Sequence, residues 1–412
     1  MVPEGWKRVP IKDACESIID CVNKTAPIVD YETPFKMIRT TNVRDGRVDT
    51  ENVRYVAKDV YLQWVRRGVP KVGDIIFTRE APVGEVGILE DDNGVFLGQR
   101  TMMYRAAENK ANNYYLFYSL SSAYCQKQIE DLSNGGTVAH VRVPDCGEIL
   151  INLPPLPEQK KIAQILSTWD KAITTTEQLL ANSQQQKKAL MQQLLTGKKR
   201  LLDDNGIRFS GEWKKLKLKK LFDFKRGKGL SKSAIKKDGQ KKCILYGELF
   251  TCYPEVISNV LSRTNEGDSI LSVKGDILIP SSTTTSGVDL ANATALLESG
   301  VLLGGDINIL RPKEKLSSRF FAYLLTHIEK YQIASFAQGI TIIHIYGADL
   351  KKVEVKVPLS ISEQQKIAAV LTSADQEIDS LQQKIEALKQ EKKALMQQLL
   401  TGKRRVKVED AA

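Results

Sequence analysis

Lys187–Lys198 reads KKALMQQLLTGK, and Lys392–Lys403 reads the same twelve residues again. The copies stand 205 residues apart, 392 minus 187, so the chain is a doubled unit. Upstream at that offset, Glu158, Gln159, Lys161, Ile162 and Ala163 match Glu363, Gln364, Lys366, Ile367 and Ala368 without a gap. Further back the likeness thins to phrases. Trp6 pairs with Trp213, Gly73-Asp74-Ile75 with Gly275-Asp276-Ile277, and Gly135 followed by His140 with Gly339 followed by His344. The order is variable block, near-constant segment, variable block, near-constant segment. Blocks that diverge while the segments between them stay alike are expected to meet different partners, and the constant segments the same one.

The constant segments carry helical periodicity. In the second copy Ile367, Leu371, Ala374, Ile378, Leu381, Ile385, Leu388, Lys392, Leu395 and Leu399 alternate steps of four and three, an a/d seam longer than four heptads. The same frame in the first copy gives Ile162, Leu166, Trp169, Ile173, Thr176, Leu180, Ser183, Lys187, Leu190 and Leu194. Its polar members make it a poor partner for itself, so the two seams are expected to pair with each other, antiparallel or parallel as the blocks dictate. Each helix follows prolines, Pro154, Pro155 and Pro157 or Pro358, and stops at Thr-Gly, where Gly197 and Gly402 suit the residue after a helix end. Ile367 to Leu399 spans about 50 Å at roughly 1.5 Å per residue, long enough to act as a strut.

The 412 residues, 42% of them hydrophobic, suffice for two cores of ordinary size. No apolar run approaches eighteen residues and no N-terminal signal is visible, which reads as a soluble, cytoplasmic protein without a membrane partner. Cys15, Cys21, Cys125, Cys146, Cys243 and Cys252 show no CxxC spacing and read as reduced, mostly buried thiols, with no metal site. A net charge of +11 favours a polyanionic partner, whether nucleic acid or an anionic membrane surface.

The variable blocks alternate short strand-like runs, such as Asp74–Thr78, Val86–Leu89, Asp276–Ile279 and Lys352–Val357, with helical patterns at 112–132 and 318–336. The fold class is therefore α+β: two pseudo-repeated α/β domains separated by two long helices that pair as a coiled coil. The boundaries are block 1–154, helix 155–200, linker 201–212, block 213–358, then helix and tail 359–412.

Several clusters suit nucleic acid. Lys214–Lys242 holds thirteen Lys or Arg against Asp223 and Asp238. It is either a solvated face or a phosphate-binding one, with Lys225, Arg226 and Lys228 around Gly227 and Gly229 as phosphate contacts. Ser281, Ser282, Thr283, Thr284 and Thr285, ahead of Ser286-Gly287, offer a row of hydroxyls to a groove edge. The equivalent loop of the first block, Thr78 through Arg79 and Glu80 to Gly84, differs in chemistry. Arg39, Thr41, Asn42 and Arg44 form another cluster before Asp45-Gly46; Gln99 and Arg100 after Gly98 are the side-chain types that pair with adenine and guanine. His140 and His344 correspond and read as structural hydrogen-bonding residues rather than catalytic ones.

Catalytic signatures are missing from the sequence. There is no GxxxxGK[ST] loop, and Gly227-Lys228-Gly229 is no substitute. In Asn152-Leu153-Pro154-Pro155 a leucine separates Asn from the prolines, unlike the Asn-Pro-Pro-aromatic motif of amino-methyltransferases. Pro144-Asp145 lacks the acid-x-Lys partner of a nuclease. No residue is assigned a catalytic role.

The whole chain resembles the specificity subunit of type I restriction-modification systems. The resemblance rests on the architecture, on the helix-entry phrases Leu156–Ala163 and Ile361–Ala368, and on the repeated Leu-Met-Gln-Gln-Leu-Leu-Thr-Gly ending. Gly73-Asp74-Ile75, Gly275-Asp276-Ile277 and Tyr246-Gly247-Glu248-Leu249 look like phrases of that family's target recognition domains. The resemblance implies that each block reads one half of a bipartite, asymmetric double-stranded DNA site, and that the helices set the spacer. It implies two methylation subunits docked on the helical regions, with restriction subunits in the full complex. S-adenosylmethionine, ATP and Mg are then expected on those partners and no cofactor on this chain. Two other readings stay open: a protein-binding coiled-coil adaptor, and a DNA methyltransferase fused to a recognition domain.

Overall fold

The computed structural model describes residues 2–133 and 139–408; Gly135, Thr137, Val138 and the last four residues of the tail lie outside them. The chain divides into two compact units, Met1–Glu177 with Gln383–Ala412, and Gln178–Gln382. Each unit thus combines one variable block with the start of the long helix that follows it and the end of the other long helix.

Both units are built on the same three antiparallel strands. In the first, Thr101–Ala106 lies between Cys15–Asp20 and Ile75–Arg79, within a six-stranded sheet. In the second, Ile307–Pro312 lies between Phe222–Arg226 and Asp276–Pro280, within a five-stranded sheet. A satellite sheet accompanies each, where Lys36–Ile38 runs parallel to Val95–Leu97 and Lys241–Ile244 parallel to Leu302–Leu303. The start and end of each block close on one another, Lys7–Pro10 against Leu150–Leu153 and Trp213–Lys217 against Glu354–Pro358. The repeated Gly-Asp-Ile phrase has a physical cause here. Asp74 and Asp276 are buried and bond in bidentate fashion to Arg105 (2.8 and 2.6 Å) and Arg311 (2.8 and 2.7 Å) on the neighbouring strand. The helical pattern at 112–132 resolves into Asn113–Leu120 and Ala123–Ser133. That at 318–336 resolves into Ser318–Tyr323, a π-helical turn Leu324–Ile328 and Lys330–Ala334.

The long helices are Leu156–Leu194 and Ile361–Leu399, each of 39 residues. Every seam position named from the heptads is buried or half-buried. Within the first unit Asp170 meets Lys392 (2.5 Å) and Glu177 meets Lys389 (3.0 Å); within the second Ser183 meets Glu377 (3.1 Å) and Lys187 meets Asp375. Rising numbers on one helix meet falling numbers on the other, so the pairing is antiparallel. Each seam lysine takes an aspartate across the seam and lies over an aromatic face. Lys392 lies 5.3 Å from the centroid of Tyr118 and Lys187 5.7 Å from that of Tyr323, and each tyrosine hydroxyl donates to the same aspartate. Gly197 and Gly402 end the helices in the left-handed region (φ +72° and +69°). The N–H groups of Lys199 and Arg404 turn back to Gln193 and Gln398 at 3.1 Å.

Helix ends are core. Leu399 and Leu400 join Ile162, Ala163 and Leu166 in the first unit; Leu194 and Leu195 join Ile367, Ala368 and Leu371 in the second. Arg405 then bonds Glu158 (2.7 and 2.9 Å) beside Trp6, as Arg200 bonds Glu363 beside Trp213. Gln159 and Gln364 each accept one backbone N–H, from Asn112 and Ser317, and donate to a proline carbonyl, Pro154 and Pro358. These paired contacts account for the near-identity of the two helix-entry phrases.

Candidate nucleic-acid interface

One corner of each block repeats its backbone bond for bond. The Arg79 N–H donates to the Arg100 carbonyl (2.9 Å), and the Ser281 N–H to the Asp306 carbonyl (2.8 Å). Val141 and Ile345 donate to the Arg79 and Ser281 carbonyls, both at 3.0 Å, and Gly98 and Gly304 donate to Ile38 and Ile244 at 2.7 and 2.9 Å. A methyl on Gly98 would stand 2.6 Å from the Ile38 carbonyl oxygen, which is why a glycine precedes the turn. Arg100 and Asp306 both occupy the left-handed region, at φ +71° and +60°.

The side chains on this frame differ throughout. Arg100 is half exposed and 3.3 Å from Glu80. Arg79 is drawn inward, to Asp20 (3.1 Å) and the Val141 carbonyl (3.2 Å). In the second block Arg226 is exposed and bonds Asp306 (2.7 Å), to which the buried Ser281 hydroxyl also donates at 3.4 Å. The strand register sets Asp20 opposite Met102 and Arg226 opposite Asn308, so Asp20 and Arg226 are equivalent positions. At both Asp20/Arg226 and Arg100/Asp306 the charge is inverted between the blocks.

The two histidines belong to the same corner. His344 pairs with Ser282, and Ile343 with Thr283, on a short ribbon; His140 bridges to Glu80 in the first block. The His344 backbone closes a hairpin with Gln338 (2.9 and 2.7 Å), with Ile340 fully exposed near its tip. The hydroxyl row is therefore split. Ser281 and Ser282 are buried, and Thr283 bonds Thr285 (2.9 Å). Thr285 (2.5 Å) and Ser286 (2.8 Å) bond Asp289, whose carboxyl these hydroxyls, Thr285 foremost, hold below its ordinary value. Thr284 is left exposed.

The other predicted residues are more scattered. Asn42 is buried, accepting the Arg39 N–H (3.1 Å) and donating to the Asn52 carbonyl (2.8 Å), so it holds its loop together. Thr41 and Arg44 are exposed; Arg44 borders the Asp45-Gly46 turn and an open groove it shares with Arg47, Lys160, Lys171 and Lys393. Gln99 accepts from Thr25 at 3.0 Å. In the basic run Lys225 is exposed, while Lys228 meets Asp268 (2.8 Å) and Lys242 meets Glu298 (2.8 Å), so part of its charge is offset locally. Sequence reasoning missed Asp306 and Asp289. Aligning Gly304-Gly305-Asp306 with Gly98-Gln99-Arg100 was the available signal for the first; the second sits in a plain loop and gave none.

Burial pushes the Cys15, Cys125 and Cys146 thiols up to about 12 and Cys243 to about 11, which makes them unreactive. Among the described residues no group of three or more His, Cys, Asp or Glu is placed to hold a metal ion, and no helix is long and apolar enough to cross a membrane.

Residues 3–182 and 210–390 each match the type I restriction modification DNA specificity domain. The chain belongs to this family. Among its specificity-subunit relatives, the putative type I restriction enzyme MjaX specificity subunit of Methanocaldococcus jannaschii is 28% identical over 429 residues, 98% of this chain and 95% of that one. The MjaVIII specificity subunit of the same organism is 27% identical over 433 residues, covering 98% and 94%. Among solved structures, the type I restriction-modification S subunit from M. genitalium aligns with a TM-score of 0.60 at 18% identity, over 97% of this chain and 96% of that one. A chain from a study of complex assembly and conformational transition of the type I R-M system aligns at 0.57 and 19%, over 98% and 100%. These likenesses show that the specificity-subunit fold runs through the chain, with two α/β domains and paired long helices.

Proposed function

We propose that this chain is the DNA-specificity subunit of a type I restriction-modification complex, each block reading one half of a bipartite, asymmetric site. The observation that carries the reading is the corner built twice on one hydrogen-bonded frame with different, oppositely charged side chains. A shared frame fits a shared task, docking on a duplex; divergent side chains fit different base sequences. The long helices set the spacer, since half-sites about one duplex turn, roughly 34 to 36 Å, apart need a rigid connection. Two methylation subunits dock on the duplicated helical regions, one per half, and restriction subunits join them. S-adenosylmethionine, ATP and Mg are supplied on those partners, and this chain recognises and assembles without performing chemistry. The reading places the protein in the cytoplasm, with the DNA.

The test is methylome sequencing of a host expressing the chain with and without its methylation subunit. A split adenine motif that requires both proteins is the expected result. Methylation by this chain alone, or no split motif from a complex shown to assemble, overturns the reading.

A further inference from the structure

We infer that Arg100 and Arg226 are the guanine-reading residues of the two half-sites, each aimed by a carboxylate of its own corner. The inference deepens the DNA-specificity reading and rests on it. Both guanidinium groups lie on the duplicated frame and are about half exposed, 47% and 56% of the side chain. Each is held by one acid: Glu80 at 3.3 Å from Arg100, Asp306 at 2.7 Å from Arg226. A guanidinium reaching guanine O6 and N7 must present two parallel N–H groups, and a carboxylate on one terminal nitrogen leaves the rest of the fork free while restricting where it points. Arg79, which shares the backbone bonds of this frame, is excluded, because Asp20 and the Val141 carbonyl engage all three of its nitrogens and only 13% of the side chain is exposed.

The two arginines reach the corner from different strands. Arg100 sits in the left-handed turn whose counterpart is Asp306, and Arg226 ends the strand whose counterpart residue is Asp20. The acid that aims the arginine in the second block therefore stands where the arginine of the first block stands. That exchange moves the reading fork across the corner while the frame stays fixed. The two blocks then place their guanines at different steps of the half-site, an asymmetry that one common frame with one arginine position does not produce.

The experiment uses the full chain with its methylation subunit and measures binding to a panel of duplexes carrying each single-base change in the methylated motif. For Arg100→Gln, discrimination against replacement of one guanine in one half-site falls about ten- to a hundredfold, while the other half-site keeps its preferences. Arg226→Gln does the same in the opposite half-site. Arg100→Lys and Arg226→Lys keep the charge and lose the fork, so they retain affinity for non-cognate DNA while losing the same discrimination. Glu80→Gln and Asp306→Asn weaken it partially, in the first and second half-site respectively. Uniform weakening across the panel identifies a phosphate contact and overturns the inference, as does unchanged discrimination or a half-site without a required guanine. A wild-type complex that methylates no split motif overturns the DNA-specificity reading itself.

Discussion

Asp74 and Asp276 are the residues on which each sheet turns. Each is almost fully buried, and its charge is balanced by one arginine on the adjacent strand. Removing one member strands the other in the interior, a loss of about 3 to 5 kcal/mol. Asp276→Ala is therefore expected to shift the denaturant midpoint strongly, and an unchanged urea curve would refute the pairing's role. Glu255 gives a pH prediction. Burial raises its pKa, but the His327 hydrogen bond, the Lys187 charge and the His327 charge outweigh it and hold the carboxyl at about 2, against an ordinary 4.5. A folded-state value below the unfolded one contributes stability that is complete above about 4.5 and lost as pH falls from there toward 2. Melting the protein from pH 6 to pH 3 should show this loss, and Glu255→Gln should flatten that part of the profile. At this scale the sequence showed that Gly-Asp-Ile recurs but not why, because the arginine partners lie 31 and 35 residues downstream and only strand register brings them across. The duplicated corner was hidden in the same way. Arg100 was visible beside Gln99, but that Asp306 occupies its place in the second block depends on two strand registers.

The long helices were the most legible elements. A seam repeating over nine steps is a local, periodic signal, and all its positions fall on the covered face. Its orientation was not legible, because parallel and antiparallel seams have the same pattern; Asp170 with Lys392 and Glu177 with Lys389 settle it. The likeness of the two constant segments, read from sequence as the mark of a shared external partner, has an internal cause as well. Each must bury the same Leu-Leu pair, present the same lysine and return an arginine to the same Glu-Trp site. The terminating glycines are part of that requirement. At Gly197 a side chain must adopt φ +72° and meets the Trp213 ring at 3.1 Å. Gly197→Val should cost at least about 1 to 2 kcal/mol from backbone conformation alone. Equal melting temperatures for variant and parent would contradict the cap.

For the whole molecule, a net charge of +11 and exposed lysines on the second block favour binding through counterion release. The affinity of the assembled complex for its site should fall steeply with salt, with a log–log slope of about −5 or steeper. A slope near zero would remove phosphate contacts from the account. Exchanging residues 213–358 for the block of a relative should change one half of the methylated motif and leave the other intact. An unaltered motif would show that the blocks do not carry the sequence preference. The doubled architecture was legible from one twelve-residue repeat; the grouping of its pieces was not, since it depends on contacts between residues more than 200 positions apart.

That grouping has a consequence for synthesis. The second unit, Gln178–Gln382, is drawn from one continuous stretch, whereas the first needs Gln383 onward to complete its core. On a ribosome working from the N-terminus, the block made first is the one finished last. Its core stays incomplete until Leu399 and Leu400 emerge, and Glu158 stays without its arginine until Arg405 does. A message broken shortly before those codons yields one complete unit and one open one.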